Sequence, residues 1–123
     1  MRAPREQCHD GVVELTGDRA EGAARTVLTV HGELDVATVA VLRAEVEAAM
    51  ASPPPPVLVL DLSSTGFIDS RGCRELARAA KAGRTAGTDV LLVVPPANRA
   101  VRKIVDFMQF GALLPVHDAL PPA

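Results

Sequence analysis

The sequence predicts an α/β domain: a mostly parallel sheet of four to five strands, opened by an N-terminal hairpin and flanked by helices. Three observations predict it. Val57–Leu60 and Val90–Val94 are continuous apolar runs, as expected of strands covered on both faces. Segments with helical apolar spacing alternate with these runs. Proline and glycine punctuate the alternation, at Pro53 to Pro56, Gly83, Gly87, Pro95-Pro96 and Gly111. A strand–helix–strand order of this kind implies parallel pairing through right-handed crossovers. The 123 residues fit one domain, and a chain of that size buries about two-thirds of its unfolded surface.

Taken in order, residues 1–10 read as a disordered tail and 11–120 as the domain. Val12-Val13-Glu14-Leu15 suggests a short edge strand, and Asp18 to Ala24 a polar turn. Thr26 to Val30 is β-branched and apolar, hence a strand, with Gly32 ending it. Asp35 or Thr38 can cap a first helix whose apolar face carries Val39, Leu42, Val46, Ala49 and Met50. The four prolines stop that helix and form a stiff connector into Val57–Leu60. After Asp61 comes a polar turn, Ser63-Ser64-Thr65-Gly66, and then Phe67-Ile68-Asp69-Ser70 leads into a second helix. Cys73, Leu76, Ala77 and Ala80 form its apolar stripe, and Arg71, Arg74, Glu75, Arg78 and Lys81 its charged side. Asn98 can cap a third helix with Val101, Ile104, Val105 and Met108 inward and Gly111 as its stop. Leu113 to Val116 suggests a last short strand.

Composition removes several functions. The net charge of −2 gives no bulk attraction to nucleic acid or to anionic lipid. Trp and Tyr are absent and Phe67, Phe107 and Phe110 are the only aromatics, so stacking platforms for single strands are scarce. No apolar run approaches the roughly 20 residues that cross a bilayer. The first residues lack the apolar core of a secretory signal. A soluble, cytoplasmic protein is expected, with Cys8 and Cys73 as free thiols rather than a bridge.

Enzyme signatures are equally scarce. Ser70 stands in Asp-Ser-Arg-Gly, not in the Gly-x-Ser-x-Gly of a nucleophile elbow, and His9, His31 and His117 stand in no catalytic pattern. Neither phosphate-cradling glycine motif is present. Cys8-His9-Asp10 supplies too few ligands for a structural zinc. Catalytic residues, cofactor and metal are therefore all expected to be none. Asp61 ends a buried strand, where a receiver domain carries its phosphoryl acceptor. A receiver also needs an adjacent acidic pair for magnesium, whereas Glu33 and Asp35 are separated, and no lysine closely follows Val90–Val94. Asp61 is more simply a strand-end residue that hydrogen-bonds the following turn.

Ser70 is the most informative residue. It falls on the first turn of the second helix, where backbone N–H groups lack partners. The run Asp61-Leu62-Ser63-Ser64-Thr65-Gly66-Phe67-Ile68-Asp69-Ser70-Arg71-Gly72 resembles the signature of anti-sigma factor antagonists, the STAS domain family. Gly32-Glu33-Leu34-Asp35 is similar to the second hallmark of that family, and Leu113 to Leu120 to its close. The three stand in register. The resemblance implies the STAS fold and a bacterial binding protein that regulates transcription by partner switching, not an enzyme. It implies that the unmodified form binds an anti-sigma factor with serine kinase activity and frees a sigma factor. Phosphorylation of Ser70 would release the complex, and a serine phosphatase would reset it. Asp35, Asp69, Ser70, Arg71, Gly72 and Arg74 would form the partner-binding surface. Asp35, Asp69, Ser70, Arg71 and Arg74 are expected on one exposed face, because the Gly32–Asp35 loop and the start of the second helix both follow sheet strands. Arg71 and Cys73 depart from the pattern, which has Ser or Thr and Leu there. The alternative is a constitutive STAS interaction module, in transport or in a signalling complex, that works without phosphorylation.

Overall fold

A computed structural model describes residues 13–18, 25–51 and 53–121. The residues 1–10 read as a tail lie outside this set, as does most of the expected turn before Arg25. The main sheet has five strands: β1 (Val13–Asp18), β2 (Arg25–Val30), β4 (Val57–Asp61), β6 (Asp89–Val93) and β7 (Val116–His117). Their spatial order is β1-β2-β4-β6-β7. β1 and β2 form the antiparallel hairpin, with Leu15 opposite Leu28. Every other pairing is parallel, β4 beside β6 with Val59 opposite Leu91. The two apolar runs are therefore adjacent, parallel and largely buried, as their composition requires.

Three helices follow the crossovers: α1 (Val39–Ala49), α2 (Ser70–Ala86) and α3 (Arg99–Phe107). The sheet always advances in one direction, from β2 to β4 to β6 to β7. Right-handed connections then place each helix on the same face. The core forms there. Leu28, Val30, Leu58, Leu60, Leu92 and Val94 meet Leu42 and Val46 of α1, Cys73, Leu76, Ala79 and Ala80 of α2, and Val101 and Val105 of α3. The period of two in a strand sends the alternate residues to the opposite face, where Val27, Val59 and Val93 form a smaller cluster with Val57 and Leu91. On that face Arg25 donates to the carbonyl of Pro121 at 2.5 Å, so the chain beyond β7 reaches back past β6 and β4 to β2.

Two short strands, β3 (Gly32–Leu34) and β5 (Thr65–Ile68), form a separate parallel pair. Gly32 does not simply end the preceding strand: its φ of 84° turns the chain out of β2 and into β3. Thr65 and Gly66, read as a turn, belong to β5.

Several other sequence expectations are corrected. Glu75 is buried rather than on the charged side of α2. It accepts from Arg43 at 3.1–3.2 Å and lies 3.6 Å from Arg78, so the carboxylate that burial would penalise is paired. Asn98 precedes α3 but its side chain does not cap it. Its amide donates to the carbonyls of Leu62 (3.1 Å) and Thr65 (2.7 Å), holding the loop before β5. α3 ends at Phe107, and Gln109 rather than Gly111 adopts the left-handed conformation, at φ 58°. Met108 lies past the helix end and is exposed. The last strand is Val116–His117, not Leu113–Val116, and Leu113 is exposed.

Candidate functional site

The β3–β5 pair builds the site. Glu33 stands opposite Phe67 and Leu34 opposite Ile68. Gly32 N–H donates to Ser64 O and Asp69 N–H to Leu34 O, both at 3.2 Å. Thr65 Oγ1 donates to Val30 O at 2.8 Å, pinning β5 to the main sheet. The two sequence segments singled out above, 32–35 and 65–72, are thus joined backbone to backbone. Beyond the Leu34–Ile68 pair the chain continues as Asp35 on one strand and Asp69 on the other.

Asp69 caps α2. Its backbone is extended, and Oδ1 accepts from Arg71 N–H and Gly72 N–H, each at 2.9 Å. Two otherwise unpaired donors of the first turn are satisfied, and the carboxylate faces the positive end of the helix dipole. Ser70 is the first helical residue and is exposed. Gly72, one turn in, is buried where no side chain fits: a Cβ there would lie 2.6 Å from Leu34 O and 2.8 Å from Ile68 Cγ1. Gly72 was expected to join the partner-binding surface. It instead sets how closely the start of α2 approaches β3, and offers no exposed contact of its own.

Asp35 organises the entry to α1. Oδ1 accepts from Ala37 N–H at 3.0 Å, and its carbonyl accepts from Thr38 and Val39. Thr38 does not cap the helix by the usual bond. Its hydroxyl donates to Glu33 O at 2.7 Å and accepts from Asp35 N–H at 3.0 Å, closing the loop between β3 and α1.

The exposed members of the site are Ser70, Arg71 and Arg74, with Asp35 and Asp69 half-buried beside them. Two apolar residues that the sequence reading did not single out as surface are also exposed, Val36 at 58% and Phe67 at 49%. Phe67 is exposed because it neighbours the buried Ile68 on β5, where successive side chains take opposite faces, and the sequence predicts no strand there to signal it. Cys73 lies one turn below Ser70 and is a free, buried thiol. Burial and then the charge of Asp69 push its pKa above the ordinary value, so it remains protonated and weakly nucleophilic. Asp61 does what its strand-end position suggests: Oδ1 accepts from Ser63 N–H (3.0 Å) and Ser63 Oγ (2.6 Å).

An open depression lined by Ser63, Ser64, Thr65, Gly66, Pro95, Ala97 and Asn98 lies beyond the carboxyl ends of β4 and β6. Its liners carry no titratable group. Among the described residues no three His, Cys, Asp or Glu side chains gather as a metal site, and no helix is long and apolar enough to cross a membrane. The chemical asset of the site is an exposed primary hydroxyl at a capped helix start, preceded by the Asp69 carboxylate and followed along the exposed helix surface by Arg71 and Arg74.

Comparison with known proteins agrees with this architecture. The family model described as "Mlab, STAS domain" matches residues 17–115. Among curated proteins, none matches. An anti-sigma factor antagonist from Mycobacterium paratuberculosis superposes with a TM-score of 0.74 at 26% identity, over 88% of this chain and 86% of that one. The anti-sigma factor antagonist SpoIIAA in its unphosphorylated form gives 0.66 at 21% identity, over 88% and 89%. A sulfate transporter family protein from Wolinella succinogenes gives 0.68 at 17% identity, over 80% of each chain. At those last two identities the likeness is one of fold. With the family model matching residues 17–115, most of the chain, this protein belongs to the STAS domain family.

Proposed function

We propose that this chain is an anti-sigma factor antagonist whose binding state is set at Ser70. The observation that carries this reading is the exposed Ser70 hydroxyl at the first position of α2, beside a cap carboxylate on Asp69 that is already satisfied. The similarity to an antagonist at 26% identity supports it. In the unmodified form, Asp35, Asp69, Ser70, Arg71 and Arg74, with Val36 and Phe67, bind an anti-sigma factor in the cytoplasm, and a sigma factor is freed. The anti-sigma factor, acting as a serine kinase, transfers phosphate to Ser70. A phosphoserine brings about −1.5 to −2 charges. Placed in a covered interface beside Asp69, that charge dissociates the complex without refolding either protein. A serine phosphatase restores the first state.

Ser70→Ala is expected to keep binding the partner and to lose its response to kinase and ATP. Ser70→Asp is expected to weaken the complex in part, because it carries less charge than phosphoserine and Arg71 neutralises some of it. Adding Arg71→Ser should then enlarge the Ser70→Asp penalty. Partner affinity of the single and double variants reads these effects, and thermal melts confirm that each folds. Mass spectrometry of the protein from its host reads the modification directly. Absence of phosphate on Ser70, there and after incubation with the partner and ATP, would replace this reading with a constitutive interaction module.

A further inference from the structure

The exposed face of α2 carries one sign of charge. At about 100° per residue, Arg71, Arg74, Arg78 and Lys81 fall in a single stripe, and Ser70 stands at its N-terminal end. A solvated helix would interleave carboxylates with them. The one acidic residue of α2 is Glu75, and it is turned away and buried against Arg43 and Arg78. Arg71, Arg74 and Lys81 form no ion pair among the described residues. In a chain of net charge −2 this is a marked local excess.

The first turn of the helix adds a constraint. The amides of Arg71 and Gly72, natural donors to an anion at a helix start, are already taken by Asp69 Oδ1. A phosphate on Ser70 must find other donors. Arg74 stands four residues on, the spacing at which side chains meet on a helix surface, with the acid N-terminal to the base as helices favour. Its guanidinium can engage phosphate through two parallel hydrogen bonds.

We infer that Arg74 has two alternative counter-ions: carboxylates of an acidic helical segment on the protein partner while Ser70 is unmodified, and the phosphate of Ser70 afterwards. This rests on Ser70 being the phosphate acceptor proposed above. Lys81 extends the same docking stripe along α2, which at 17 residues is about 25 Å long, while Arg78, between Arg74 and Lys81, is held by Glu47 at 3.7 Å and Glu75 at 3.6 Å. Modification then acts twice, adding negative charge and withdrawing a positive contact from within the chain. A protein partner fits better than DNA: the five cations of this helix, four of them in the stripe, fall below the roughly six to ten phosphate contacts of a salt-sensitive DNA binder, and the chain is net negative.

The test installs phosphoserine at position 70 during synthesis of the full chain, so that no kinase is needed. A ³¹P NMR titration follows the second ionisation, which lies near pH 6 for phosphoserine without a partner. The expected result is a lowered value in the otherwise wild-type chain, returning toward 6 in Arg74→Gln and not in Arg99→Gln, an exposed cation on α3. Equal values with and without Arg74 overturn the capture. In the second arm a glutamate-rich helical peptide is titrated at low salt against the unmodified chain. Arg74→Gln and Lys81→Gln should each weaken it about two- to fivefold, as for an exposed ion pair, and phosphoserine 70 should weaken it as well. Uniform affinity across these forms, or a preference for duplex DNA or phosphatidylserine vesicles over the peptide, overturns the acidic-protein assignment. If both arms succeed and the host leaves Ser70 unmodified, the pairing stands while the regulated switch fails.

Discussion

Gly72 is a single residue on which the whole site leans. The nearest atom to a Cβ placed there is Leu34 O, a backbone carbonyl that cannot rotate away, and the next is Ile68 Cγ1. Gly72→Ala therefore pushes the start of α2 off β3. The expected loss is about 1–3 kcal/mol, typical of forced overpacking, which in a domain of this size lowers Tm by roughly 4 °C per kcal/mol. Gly111→Ala is the control, since nothing lies within 4 Å of its Cβ position and its φ is unexceptional; thermal melts of the two variants should separate clearly. Cys73, the next residue along α2, makes a prediction of another kind. Its thiol is held above the ordinary pKa by burial and by Asp69. In a Cys8→Ser background, Cys73 should react slowly with a disulfide reagent at pH 8 and rapidly once urea unfolds the chain. The unfolded chain loses this proton first, so the thiol's contribution to stability is complete below about pH 9 and declines as pH rises through the higher folded value. Urea titrations between pH 8 and 10 check the direction, and stability rising over that range would contradict it.

Among the elements, α1 and α2 are joined by an ionic clamp as well as by their apolar stripes. Glu75 is 3% exposed, whereas its partner Arg43 is 49% exposed. Arg43→Ala leaves a buried carboxylate with Arg78 alone, at 3.6 Å. A loss of about 1–3 kcal/mol is expected, the cost of leaving a buried polar group under-satisfied. It should appear as a lower urea midpoint with an unchanged slope. No such pairing was legible in the sequence, because a Glu among Arg and Lys on an amphipathic helix reads as solvated. Its burial depends on α1 covering that flank of α2. The long elements were legible: Leu42 and Val46, Leu76 and Ala80, and Val101 and Val105 repeat at helical spacing, and the runs of β4 and β6 admit little else. The short ones were not. β3 and β5 have three and four residues, too few to show a period, and their pairing joins segments more than 30 residues apart. Asn98 was misjudged for a related reason: a polar residue before a helix suggests a local bond, but here two distant carbonyls take the amide.

At the scale of the molecule, the parallel arrangement followed from the alternation of strand and helix, whereas Ser70, Asp69 and Arg74 were singled out by the resemblance of the run 61–72 to a family signature, since Asp69-Ser70 at a helix start reads by itself as an ordinary cap. Asp35 and Asp69 were expected on one face because each follows a strand, but the two-stranded pair that joins their segments was not legible, since it is a property of topology rather than of either segment. The same topology separates two roles. The five-stranded sheet and three helices hold most of the core, while the two-stranded β3–β5 pair carries the site and is anchored by Leu34 and Ile68 in that core and by the hydrogen bonds of Thr65 and Asn98. Closing that pair encloses α1, the proline connector and β4. Loop closure over such a length costs entropy before any contact rewards it, so the pair gains little until those enclosed elements are in place. A partner that requires Asp35 beside Asp69 consequently has no local peptide to grip: neither 32–35 nor 65–72 presents the surface alone. Binding at this surface is thereby restricted to chains that have finished folding, and a nascent or damaged copy goes unbound even with every site residue intact.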